Sequence, residues 1–131
     1  MSALQQLADS TRKLFRVDCH CELPKPVLVC DHGVAGHLFR IAQESLSNAI
    51  KHSKAKTIHI RLAQDSRQLV LTVRSDGEPF RRPPASNGMG LKTMRYRAER
   101  IGATLEVGSG THNGTITRCV LGASRRPQPE A

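Results

Sequence analysis

The stretch Leu38 to His52, LFRIAQESLSNAIKH, constrains the fold more than any other part of the chain, because its apolar residues repeat at the helical period. At about a hundred degrees per residue, Val34, Leu38, Ile41, Ala42, Leu46 and Ala49 share one stripe, and His37, Arg40, Glu44, Asn48 and Lys51 share another. Such a helix buries its first stripe in a core and turns the second away from it. The second stripe places an acid, an amide and a base one turn apart. A metal-phosphate site uses that set: a carboxylate to handle protons, a hard oxygen for Mg²⁺ and an ammonium for phosphate. A solvated helix face carries the same residue types, so the rest of the chain decides between the two readings.

A chain of 131 residues is long enough to bury a real core as one domain. With aromatics at 3% and no tryptophan, that core has to be built from Leu, Ile, Val and Ala. No apolar run approaches the roughly 20 residues that span a bilayer, and no leader pattern precedes the first helix. The expectation is a cytoplasmic piece with no membrane contact. The net charge of +9 points to an anionic partner. The basic residues are dispersed, and the only aromatics are Phe15, Phe39, Phe80 and Tyr96, too few to stack single-stranded bases, so nucleic acid is not expected as a partner. Cys19, Cys21, Cys30 and Cys119 contain no C-x-x-C pair and read as reduced thiols. A strand through Cys19-His20-Cys21 would set His20 on the face opposite the two thiols, which argues against a metal there.

Leu4, Leu7, Thr11 and Leu14 recur at three and four, so residues 1–14 read as a helix continuing from a missing upstream domain. Phe15, Val17, Cys19 and Cys21 then alternate with polar residues up to Glu22, as in a half-buried strand that Pro24 and Pro26 end. Asp31 is placed to cap the central helix. Thr57–Ala63 and Leu69–Val73 read as two strands joined by a turn at Asp65-Ser66-Arg67, the second leading into Ser75-Asp76-Gly77.

From Glu78 to Gly90 the chain carries Pro79, Pro83, Pro84, Asn87, Gly88 and Gly90 and shows no apolar period, which predicts a long functional loop, mobile until a ligand orders it. It closes with Gly88-Met89-Gly90 at the head of a helix, Leu91–Ile101, whose seam is Leu91, Met94, Ala98 and Ile101. Glycines opening a helix let backbone N–H groups approach a phosphate, although a bare G-x-G is also a common way to enter a helix. Gly102 ends the helix. Ala103–Val107 and Thr115–Leu121 read as a last strand pair, and residues 123–131 as a disordered tail.

Taken in order, these elements resemble the ATP-binding catalytic domain of bacterial sensor histidine kinases, in the superfamily shared with gyrase, heat-shock chaperones and mismatch-repair ATPases. Gln43 to His52 looks like the N box of the subgroup paired with helix-turn-helix response regulators, and Val73 to Gly77 like the first glycine box. Gly88-Met89-Gly90-Leu91, followed by Met94 to Ala98, looks like the second, and Asn113-Gly114-Thr115 like the closing Gly-Gly-Thr. The resemblance covers nearly the whole chain, and three boxes in the right order are far more specific than any one.

The resemblance implies an α/β (α+β) two-layer sandwich over residues 15–122, with a mixed sheet of about five strands covered on one face by about three helices, a Bergerat-type fold. It implies ATP and Mg²⁺ as cofactors. Asn48 would give its amide oxygen to Mg²⁺, Glu44 would act as the acid/base residue or position the attacking group, and Lys51 and His52 would face phosphate or ribose. Gly88, Met89, Gly90 and Leu91 would hold the phosphates from the lid side, with Ser75, Asp76, Gly77 and Thr115 completing the ATP site. The phosphate acceptor would be a His on a separate domain of the same parent protein, with a response regulator served indirectly. The family's first glycine box reads Asp-x-Gly-x-Gly, its leading Asp accepting the adenine amino proton. Here those places are Ser75, Gly77 and Pro79, so either Asp76 shifts into the role or Ser75 takes it. The alternatives are a non-catalytic nucleotide-sensing module and an anti-sigma-factor-type serine kinase; the Met94 to Ala98 run favours the sensor kinase.

Overall fold

The computed structural model describes residues 2–23, 32–52, 54–65, 68–78, 89–109 and 114–122, with the backbone alone for Ser2, His52, Asp65 and Met89. Pro24, Pro26, Cys30, Asp31, Ser66, Arg67, the loop from 79 to 88 with Gly88, Asn113 and the tail 123–131 lie outside the described residues.

The elements run α1 (Ser2–Phe15), β1 (Asp18–Glu22), α2 (His32–His52), β2 (Thr57–Asp65), β3 (Gln68–Ser75), α3 (Met89–Arg100), β4 (Thr104–Ser109) and β5 (Thr115–Gly122). The five strands form one sheet in the order β1-β2-β3-β5-β4. β1 lies parallel to β2 with α2 as the crossover between them, and the other pairs are antiparallel, so the sheet is mixed as expected. The strands outrun their apolar runs: β2 reaches Asp65 and β3 reaches Ser75, because Asp65 pairs with Gln68 and Ser75 with Ile58.

Alternation decides which face is covered. Ile58, Ile60 and Leu62 of β2, Leu69, Leu71 and Val73 of β3, and Cys119 and Leu121 of β5 are all buried, and they meet Leu38, Ile41, Ala42, Leu46 and Ala49 of α2 and Met94 and Ala98 of α3. Each Leu, Ile, Val or Met among them contributes about 1.5–3 kcal/mol on leaving water. On the other face His20 and His59 are register partners whose rings stack 5.3 Å apart, opposite the inward Cys19 and Cys21. Burial pushes the Cys19 and Cys119 thiols up to about 11, so both stay protonated and inert. No helix among the described residues is long and apolar enough to cross a membrane.

The N-terminal segment departs from expectation. The seam of α1 is Leu4, Ala8 and Thr11, while Leu14 is 75% exposed. Thr11 is tolerated in that seam because its Oγ1 donates to Leu7 O at 2.7 Å. Phe15 belongs to the helix and not to the strand, and it is 55% exposed. Arg16 then turns the chain at φ 55°, its N–H donating to Arg12 O at 3.1 Å, so that β1 begins only at Asp18. Leu4 and Ala8 lie in the same buried cluster as α2 and the sheet.

Candidate nucleotide site

The polar stripe of α2 meets the first turn of α3. Gly90 is packed so closely on α2 that a Cβ there would overlap Glu44 Oε1 and stand 3.5 Å from Asn48 Oδ1. Glu44 and Asn48 are both half-buried and one turn apart, so their oxygens converge on the place where α3 begins. The first N–H groups of a helix have no partner within it, and the dipole there favours negative charge by about 0.3–1 kcal/mol. The result is a cradle with two hard oxygens on one wall and orphan amide donors on the other. That donor set is of the kind that fits a polyphosphate carrying Mg²⁺. Buried contacts keep the two helices in register: Ser45 Oγ donates to Ile41 O at 2.8 Å and lies 3.4 Å from Met94 Sδ.

A second group of the expected residues gathers at the end of β3. Ser75 is 6% exposed and is the register partner of Thr115 on β5. Strand alternation sets Ser75 on the same face as Leu69, Leu71 and Val73, which is the face α2 covers. Gly114, at φ 79°, lies so close that a Cβ would overlap the Ser75 carbonyl oxygen and stand 3.0 Å from Asp76 Cα. Gly77 turns the chain at φ 97°. Asp76 is exposed, and its Oδ1 accepts from the backbone N–H of Lys56 at 2.7 Å and of Thr57 at 2.9 Å.

Residues 33–125 match the family described as histidine kinase-, DNA gyrase B- and HSP90-like ATPases. The chain belongs to this family. It is 36% identical over 113 residues to the sensor histidine kinase LiaS of Bacillus subtilis, a match covering 86% of this chain and 31% of that protein. The chain thus spans under a third of the length of the curated relatives it matches. In fold it is similar to the histidine kinase domain of the blue-light activated histidine kinase EL346 of Erythrobacter litoralis, with a TM-score of 0.71 at 21% identity over 92% of this chain and 59% of that one. It is also similar to full-length ShkA in complex with AMPPNP, with a TM-score of 0.73 at 16% identity over 93% of this chain and 29% of that one.

Other expected residues lie differently. Leu91 is half-buried against the core cluster. Lys51 is exposed and borders a groove of about 540 Å³ between α1 and α2, with Leu7, Leu14, Phe15, Phe39 and Ile50 as its apolar lining, and is not among the groups that meet Gly90. His52 closes α2, and its side chain is outside the described residues. The stripe itself divides along its length. Its upper end serves α3's far turn, where Arg97 Nη1 lies 3.4 Å from His37 Nδ1, and Arg40 turns aside to donate to Gln43 Oε1 at 3.2 Å. The spacing within α2 carries no sign of this division, because the crossing of α3 produces it. The Asp76 clamp on β2 was likewise missed; an acid directly after a strand is its one local signal.

Burial, and then the Arg97 and Arg100 guanidiniums, hold the His37 imidazole below its ordinary value of 6.5. The folded state therefore resists a proton that the unfolded chain accepts. Stability contributed at His37 is full above pH 6.5 and falls as pH drops through the window down to the lower folded value. Urea midpoints measured across that window are expected to fall less steeply with acid for His37→Gln than for the parent. Parallel profiles would remove His37 from the acid response.

Proposed function

We propose that this chain is the catalytic ATP-binding domain of a sensor histidine kinase, which binds Mg·ATP between α2 and the head of α3. It passes the γ-phosphate to a histidine on a separate helical-hairpin domain of its parent protein, from which a response regulator is served. The observation that carries this reading is the convergence of Glu44 and Asn48 on Gly90, which joins the stripe of α2 to the glycine-led start of α3. Family membership supports ATP as the ligand.

Phosphoryl transfer asks a protein for position and charge stabilisation more than for covalent chemistry. Asn48 would hold the metal through its amide oxygen, and the N–H groups around Gly90 and Leu91 would take the phosphate oxygens. Glu44 orients the attacking imidazole or receives its proton. Mg²⁺, when bound, supplies the positive charge that offsets the build-up on the phosphate oxygens. Lys51, exposed and one turn on from Asn48, would add long-range attraction for the phosphates.

The acceptor lies outside the chain. His20 and His59 are on strands, His37 is engaged by Arg97, and none of these, nor His32, His52 or His112, is directly followed by an acid. Incubation with γ-labelled ATP and Mg²⁺ is expected to leave the chain unlabelled, and adding the helical-hairpin domain of its parent protein is expected to label that domain. Acid-labile phosphohistidine on the chain alone would overturn this division of labour.

A further inference from the structure

We infer that this site reads the nucleotide base with hydroxyls and not with a carboxylate, so that it takes guanosine as well as adenosine triphosphate. The inference rests on the nucleotide reading above and concerns the end of β3.

Two groups there could face a base, Ser75 and Asp76, and the structure separates them. Asp76 is exposed and committed to its neighbours. Its Oδ1 accepts two backbone N–H bonds from the start of β2, at 2.7 and 2.9 Å, and its own N–H donates to Thr57 O at 3.1 Å. Moving the carboxylate onto a base would strip Lys56 and Thr57 of that partner. Asp76 is therefore a structural clamp that fastens the exit of β3 to the entrance of β2.

Ser75 stands in the opposite condition. It is 6% exposed, on the face covered by the helix that carries Glu44 and Asn48. No described protein group hydrogen-bonds its Oγ. Thr117, two residues past Thr115 on the same face of β5, is 5% exposed and is likewise without a described side-chain partner. Buried hydroxyls in folded proteins are nearly always paired, so one that finds no partner among the described residues, on the sheet face beneath α2, points to a partner supplied by ligand or water.

The chemistry of that partner follows from the donor count. A carboxylate only accepts, so it pairs with the amino group of adenine and repels the carbonyl of guanine at the same ring position. A serine hydroxyl donates one proton and accepts at two lone pairs, and it rotates to suit either group. Such a hydroxyl offers a partner to the amino group of adenine and to the carbonyl of guanine alike, so the steep rejection that comes from stranding a buried polar group is missing at that ring position.

Calorimetric titration of the full chain with Mg·ATP and with Mg·GTP tests this directly. The two affinities are expected to agree within about tenfold, Ser75→Ala to weaken both by about fivefold, and Asp76→Asn, which keeps its amide oxygen for Lys56 and Thr57, to leave their ratio unchanged. Ser75→Asp is expected to raise the preference for ATP by at least about tenfold. Should the buried aspartate prevent folding, as circular dichroism would show, the parent ratio and the other two variants still decide. A preference for ATP beyond about tenfold in the parent, or its loss in Asp76→Asn, overturns the hydroxyl reading while leaving the nucleotide site standing. Binding of neither nucleotide overturns the nucleotide site itself and the inference with it.

Discussion

Asn48→Leu is expected to weaken binding of Mg·ATP by roughly 10–100-fold while leaving metal-free ATP nearly unaffected. The side chain is half-buried on α2, and its amide oxygen faces the start of α3 beside the Glu44 carboxylate. Leucine keeps the volume and the helix propensity of the site and removes the one neutral hard oxygen. The loss should therefore fall on the metal complex alone, with the unfolding midpoint held near the parent's. Calorimetry in Mg²⁺ and in EDTA separates the two. Equal affinity of the variant and the parent for Mg·ATP would show that the ion is held elsewhere.

The second large effect concerns the fold and the site together. Gly114→Ala is expected to cost about 2–4 kcal/mol of stability. At φ 79° an alanine is in a region that L-residues enter at a cost of about 1–2 kcal/mol, and its methyl would overlap the Ser75 carbonyl oxygen. That oxygen belongs to the backbone at the end of the β3–β5 ladder, where Ser75 pairs with Thr115, so it cannot swing aside as a side-chain tip would. Urea unfolding measures the loss. A change under about 1 kcal/mol would mean that the turn before β5 opens at little expense.

How much of this was legible from residues alone follows from the range of the forces involved. Ile58, Ile60 and Leu62 against His59 and Arg61 announce a strand because each residue's face depends only on its neighbours. The stripe of α2 was readable for the same reason. The family boxes then supplied order among elements that local patterns leave unordered. Local reading failed in α1, where the large Leu14 suggested a seam that the small Ala8 actually occupies, since alanine carries little hydrophobic signal of its own. Phe15 fits a helix end and a strand start equally well, and only the positive φ of Arg16 separates them. The role of Asp76 depends on two N–H groups 19 and 20 positions away, and the division of the polar stripe depends on the path of α3. Contacts of that length leave no periodic trace.

The place of β1 in the sheet bears on how this domain can be cut. The family match begins at residue 33, yet β1 lies before that point and pairs along one side of β2 over five residues, Asp18↔Thr57 to Glu22↔Arg61. A fragment begun at the family boundary would leave the flank of β2 bare, a nine-residue strand with Ile58, Ile60 and Leu62 in alternation and its ladder groups unpaired on that side. It would also lose Leu4 and Ala8 from the core. An open edge of that length is a template for a second chain, so the first 22 residues act as a guard against aggregation as well as a part of the fold.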